Sequence, residues 1–115
     1  MKIFIVFVAL LIVNISISTY KADYGRYIYL QRALDNIAFE SAQIAIYSGE
    51  NEANKHAEEL LNYTILSLKN IKVKNFASFV YFEDEVAIAI ISVDIESLFR
   101  FPRLPLTTIT AERRL

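Results

Sequence analysis

The chain has 115 residues, of which 55% are hydrophobic, with a formal net charge of −1 and no cysteine. This length holds one ordinary domain at most, and the near-neutral charge gives no overall attraction to nucleic acid or to an anionic membrane surface. Disulfides and thiolate metal sites are excluded, and two glycines are too few for a phosphate-binding glycine loop.

The first predicted element is a strongly apolar segment at the amino terminus. Between Ile3 and Ile17 the only polar residues are Asn14 and Ser16. This run of about 15–17 residues is at the short edge of the roughly 17–25 that cross a bilayer. The pattern predicts a transmembrane anchor over residues 1–19 and an extracytoplasmic helix with an α+β head over residues 20–115.

The same segment also has the features of a cleavable signal peptide. Lys2 would be a minimal basic region, and Ile3–Val13 would be the apolar region that follows it. Ser16 and Ser18 then form a weak small-x-small cleavage site. Cleavage after Ser18 would release a secreted small binding domain, which is the alternative to a membrane anchor.

The residues after the apolar run favour the anchor, although charge leaves its orientation open. Tyr20 and Lys21 match the aromatic and snorkelling basic residues of a membrane interface. Lys2 and the amino terminus lie on one side of the segment, whereas Lys21, Arg26 and Arg32 lie on the other.

Beyond the anchor, apolar residues recur at steps of three and four, which is the spacing of one face of an α-helix. Ser48 and Gly49 supply a stop, with the glycine just past the last helical turn. The pattern predicts one uncut helix from Lys2 to Tyr47, roughly 68 Å long at the α-helical rise per residue. The stripe consists of Tyr20, Tyr24, Tyr27, Leu30, Leu34, Ile37, Ala38, Ala42 and Ala45.

The middle of this stripe is expected to pack against a sheet. The predicted helix-to-sheet contacts are Leu30, Leu34, Ile37 and Ala38. The charged residues that mostly fall off the stripe are Asp23, Arg26, Arg32, Asp35 and Glu40.

The rest of the chain predicts a second helix over Glu50–Leu68 and then a small sheet. "IKVKNFASFVYF" and "EVAIAIISVDI" are β-branched and aromatic, with Glu83-Asp84 as a polar turn between them. The second of these strands is apolar on both faces, as a central strand is. "FRFPRLP" is predicted to be a crossover or edge segment, and "LTTITAERRL" a third strand. The predicted fold class is therefore α+β, with helices on one face of an antiparallel sheet of three strands.

No residue pattern in the chain indicates catalysis or a metal site. His56 has Glu52 and Glu59 at helical spacing, and three carboxylates follow one another at 83–85, but a solvated helix face and a solvated turn explain both. No combination of nucleophile, base and orienting group can be assembled. The sequence thus predicts no catalytic residue, no cofactor, no metal, no small-molecule substrate and no nucleic-acid partner.

The last 16 residues are basic, with four arginines at 100, 103, 113 and 114. A site for phosphate or lipid headgroups is one interpretation. Salt bridges to neighbouring subunits, or solubility alone, are favoured over it.

The order of these parts resembles the TadE-like family of pilin-related proteins in bacterial tight-adherence pilus systems. The likeness rests on "LQRALDNIAFESAQIA", similar to that family's small and apolar run, and on "SLFRFPRLPLTTITAERRL", similar to its closing Pro-Leu-Pro turn and threonine-rich strand. The chain lacks the family's basic leader and early glutamate, since no acidic residue precedes Asp23. A variant that keeps its amino terminus as a signal-anchor fits better.

The resemblance implies a non-enzymatic subunit or assembly component of a pilus or secretion apparatus, in the bacterial cell membrane with its head outside the cytoplasm. Its partners would be the lipid bilayer and other pilin-like or envelope-assembly subunits, copies of itself included. Because small and polar residues promote association between membrane helices, packing in the anchor is predicted at Ala9, Asn14 and Ser16.

Overall fold

The computed structural model describes residues 2–68, 71–100 and 103–115. It confirms the predicted α+β class, with a long amino-terminal helix, a second helix and a three-stranded antiparallel sheet. The molecule measures 70 × 25 × 18 Å, and its long axis is that of the first helix. The elements are α1 (Lys2–Ser48), α2 (Glu50–Ser67), β1 (Lys72–Glu83), β2 (Val86–Glu96) and β3 (Leu106–Arg114).

Gly49 ends α1 and turns the chain directly into α2. Its φ of 93° lies in the left-handed region, which a residue with a Cβ adopts at a cost. Its N–H donates to the carbonyl of Ala45 at 3.0 Å, and its own carbonyl accepts from Ala53 at 3.2 Å. The predicted stop is confirmed, and the single linking residue makes the two helices antiparallel neighbours.

Small residues let α1 and α2 approach each other closely. The contact faces of both helices carry alanines that are fully buried or nearly so, and small side chains bring two helix backbones together. The phrase "LQRALDNIAFESAQIA", which lies entirely in α1, therefore supplies that helix's share of the core of the head. The residues concerned are Ala38, Ala42 and Ala45 on α1 and Ala53 and Ala57 on α2.

The sheet has the order β1-β2-β3 with both neighbouring pairs antiparallel. The central strand β2 turns alternate residues towards the helices, and all of these are buried: Ala87, Ala89, Ile91, Val93 and Ile95. Its opposite face carries Ile88 and Ile90, which pair with Tyr81 and Phe79 of β1. The same face carries Ser92 and Asp94 further along, with polar partners on β3, so the prediction that both faces of β2 are largely apolar holds only for its first half.

A bulge at Lys74 reverses the faces of β1. Before it, Ile71 and Val73 pack against the core while Lys72 is exposed, which is the alternation of a strand with one buried face. The register shifts between Val73 and Asn75, so the later residues exchange faces.

Side chains from both helices bond to the outer edges of the sheet. The Asn54 amide donates to the carbonyl of Val80 at 2.9 Å and accepts from its N–H at 2.8 Å. Glu50 accepts from the N–H of Phe82, and Gln31 of α1 donates to the carbonyl of Thr110 on β3. Since unpaired strand edges recruit other chains, these bonds protect part of each edge.

The β1–β2 turn lies one residue later than predicted. Its two central residues are Asp84 and Glu85, not Glu83 and Asp84, and Glu83 still pairs with Val86 as the last rung of the ladder. Both central residues have positive φ, 49° and 68°, as type I′ hairpin turns require. Such turns favour Asn-Gly, because a side chain at positive φ is strained.

The replacement Glu85→Gly should therefore raise the free energy of unfolding, by about 1 kcal/mol. The matched change Glu83→Gly removes a side chain from a strand with negative φ, and should lower it by about 0.5–1 kcal/mol. Urea unfolding of both variants measures the difference. A lower midpoint for Glu85→Gly would show that this turn is not strained.

The predicted crossover or edge segment is instead the loop of a hairpin. β2 and β3 pair directly, and their ladder closes at Glu96 and Leu106. Within the loop, Arg100 and Arg103 form an isolated antiparallel bridge, and the N–H of Leu104 donates to the carbonyl of Phe99 at 3.1 Å. Pro102 has no backbone N–H and was expected to limit strand pairing, but it lies outside the described residues.

Candidate membrane anchor and its junction with the head

The first part of α1 projects from the head with its apolar side chains exposed. It contains an 18-residue window long and apolar enough to cross a membrane, and none of that window is buried. Exposure of this kind excludes a core helix, whereas a signal sequence has the same length and composition. Ile3, Phe4 and Phe7 are among the most exposed apolar side chains of the chain.

The three predicted packing residues of the anchor lie on this projecting segment. Ala9 and Asn14 are exposed, and Ser16 is half-buried. The Ser16 hydroxyl donates to the carbonyl of Ile12 at 2.9 Å, so its proton is already used within its own helix. Among the described residues, no partner bonds to the Asn14 amide, and the same holds for the Ser18 hydroxyl.

We define the junction as residues 20–27 of α1 together with the described part of the β2–β3 loop, 97–100 and 103–105. Aromatic rings connect its two halves. Phe99 lies 5.9 Å from Tyr20 and 6.0 Å from Tyr27, measured between ring centroids. Tyr24 stacks between the two tyrosines, at 6.1 Å from each. The loop is therefore held against the first turns of α1 beyond the apolar segment.

Asp23, predicted to lie off the apolar stripe, instead faces the head and has no exposed surface. Its Oδ1 accepts from the guanidinium of Arg26 at 2.9 Å and from Nε of Arg100 at 3.0 Å. Its Oδ2 accepts from the backbone N–H of Arg100 at 2.9 Å. Helical spacing in the sequence could have indicated this position, because Asp23 is three residues after Tyr20 and four before Tyr27 and so shares their face of the helix.

The charge of Asp23 is stabilised where it lies. Burial by itself raises the pKa of this carboxyl, but the hydrogen bonds from Arg100 and the charges of Arg100 and Arg26 outweigh it and hold the pKa below its usual value. The cover consists of arginine side chains that are 37% and 56% exposed. The ion pair is therefore a shallow one, and its contribution is smaller than that of a pair deep in a core.

Asp23→Asn should lower the free energy of unfolding at neutral pH by about 1–3 kcal/mol, because the carboxylate bonds weaken. A depressed folded-state pKa stabilises the fold above the unfolded pKa of about 3.9, and this stabilisation is lost as the pH falls through the folded value. The difference between wild type and variant should thus shrink in acid. Unfolding measured from neutral pH downwards tests this, with the exposed Asp35→Asn as control. A difference that stays constant with pH would contradict the role given to the Asp23 charge.

The residues predicted for helix-to-sheet packing lie in the core. Leu30, Leu34, Ile37 and Ala38 are buried within the cluster that also contains the helix-facing side chains of β2 and β3.

The remaining candidate residues do not converge on one site. His56 faces Glu40 of α1 at 3.6 Å, in a shallow groove. Arg113 lies 4.9 Å over the Phe39 ring, and Arg114 pairs with Glu112. Within the described ranges, no three carboxylate or imidazole groups come together so that they could hold a metal ion.

No family model, curated protein or solved structure matches the chain. The resemblance to the TadE-like family therefore stays a prediction from the two sequence phrases.

Proposed function

We propose that the protein is a non-enzymatic, membrane-anchored, pilin-like subunit or assembly component of a bacterial pilus or secretion apparatus. Its head would lie outside the cytoplasm, and α1 would hold it in the cell membrane. Its partners would be the bilayer and other pilin-like subunits, copies of this chain included.

The proposal is supported by the difference between the two parts of α1. The helix is continuous from Lys2 to Ser48, exposed and apolar over its first part and packed into the head over its second. Transferring that apolar part from water into lipid is strongly favourable. A rigid helix that is both membrane segment and core element suits a subunit that must present its head at a set distance from the bilayer.

Alkaline carbonate extraction of membranes tests the anchoring. We expect the uncut chain in the membrane pellet, because carbonate strips peripheral proteins but leaves inserted helices in place. A variant with Leu10 and Leu11 both changed to arginine is the control, since charge at the centre of a membrane helix opposes insertion. Wild-type chain in the supernatant would overturn the proposal.

The alternative function is a secreted binding domain released by cleavage after Ser18. One observation favours it: within residues 2–22 no side chain belongs to the core, so removal of the segment would leave the described core of the head complete. In this case a shortened chain would appear in the soluble fraction of the same extraction.

The replacement Asn14→Leu should weaken association between anchors by about 0.6–2 kcal/mol, because an amide left unpaired in lipid gains from a partner helix. Insertion should be unchanged or improved. A cross-linking signal between membrane segments, compared at equal expression with the neutral change Val13→Leu, measures the effect. An unchanged signal would remove Asn14 from the assembly surface.

A further inference from the structure

We propose that the junction binds the anionic phospholipid headgroups of the bilayer that α1 enters. This inference rests on the membrane anchoring proposed above. It adds a second contact with the membrane, made by the head itself through the β2–β3 loop.

The first support is an excess of positive charge at the junction. Four basic side chains, Lys21, Arg26, Arg100 and Arg103, accompany a single acidic one, Asp23. Arg26 and Arg100 both bond to Oδ1 of Asp23, so one negative charge serves two guanidinium groups. Arg100 remains 56% exposed, and a guanidinium has five N–H donors, so it can bind a phosphate as well.

The second support is the distance of these groups from the apolar segment. Asp23 is four residues beyond Thr19, which is about 6 Å along a helix axis. The polar headgroup region occupies about 5–8 Å on each side of the hydrocarbon core. Arg100, bonded to Asp23, therefore lies at headgroup depth, as do the rings of Tyr20 and Tyr24, and aromatic residues favour this layer.

The third support is that the opposite end of the head is acidic. The hairpin turn contributes Glu83, Asp84 and Glu85, and the bond from Phe82 to Glu50 brings the start of α2 beside it. Arg113 and Arg114 of β3 lie at the same end, but Arg114 pairs with Glu112, and the carboxylates outnumber the two arginines. The net charge is only −1, but the charges are separated along the head, and the basic end lies towards the anchor. An anionic surface attracts the near end and repels the far end, so it favours an upright head with the loop in contact.

The loop also offers an apolar contact to the interface. Leu104 of the loop and Leu106, the first residue of β3, are 42% and 44% exposed, next to Arg103. Apolar side chains beside basic ones are the combination that inserts at the headgroup boundary.

The test uses the full chain in vesicles of phosphatidylcholine, with or without phosphatidylglycerol. The protein contains no tryptophan, so Leu104→Trp gives a single fluorophore in the loop. Brominated lipids should quench it, about twofold more strongly when phosphatidylglycerol is present and less so in high salt. Tyr47→Trp, at the far end of α1, should not be quenched.

Adding Lys21→Gln and Arg103→Gln to Leu104→Trp should weaken the dependence on phosphatidylglycerol without abolishing it, because Arg26 and Arg100 remain beside Asp23. Neither side chain bonds to Asp23, so the fold should stay intact. The matched pair Arg32→Gln and Lys55→Gln, away from the junction, should keep the dependence. Equal quenching in both kinds of vesicle, or a loop quenched no more than position 47, would overturn this inference while the anchoring stands. A chain that does not float with vesicles at alkaline pH would overturn the anchoring, and the inference with it.

Discussion

Replacing Leu34 with alanine is expected to lower the free energy of unfolding by about 2–5 kcal/mol. Leu34 is 1% exposed and lies in the core cluster where α1 meets the sheet. Removing its branched end takes away buried apolar contacts and leaves a cavity, because the rigid helix and the sheet cannot close over it completely. Urea unfolding of the full chain in mild detergent, followed by the near-ultraviolet circular dichroism of its tyrosines, measures the loss.

Arg32→Ala is the matched control for Leu34. Arg32 is exposed on the same helix, and its truncation should cost less than about 0.5 kcal/mol. Comparable losses for the two variants would mean that α1 does not form the core of the head as described.

The replacement Asn54→Leu is expected to have the second large effect, lowering the free energy of unfolding by about 2–4 kcal/mol. Leucine has a similar volume but no polar atoms, so both backbone groups of Val80 would lose their partner. The edge of β1 would then be open to pairing with other chains. We expect lower stability and also concentration-dependent aggregation, measured by urea unfolding and by light scattering.

Asn62→Leu is the comparison for Asn54. Asn62 is exposed on the same helix, and none of the described hydrogen bonds involves its side chain. A similar cost and similar aggregation for both variants would show that added surface hydrophobicity, and not edge protection, is responsible.

The architecture could be predicted from the sequence because its helices and strands have strong local patterns. The stripe from Tyr20 to Ala45 has helical spacing, Gly49 has the freedom that the end of a helix uses, and the β-branched runs alternate as strands do. The class and the element order follow from these features. Helix ends and strand ends agree with the prediction to within one residue or two.

The features that were missed depend on partners distant in the chain. Asp23 was predicted to fall off the apolar stripe, and only its contact with Arg100 explains its burial. The local sequence does not distinguish Asn54 from other polar residues of a helix, because its role depends on hydrogen bonds to the backbone of Val80. The bulge at Lys74 has no local signal, and it appears only in the register of β1 against β2.

The central claim, that α1 remains uncut and anchors the head in a membrane, is tested most directly by amino-terminal sequencing of the protein isolated from its native host. We expect that the chain recovered from the membrane fraction begins at Met1 or Lys2. A chain that begins at Thr19, recovered from the soluble fraction, would contradict it.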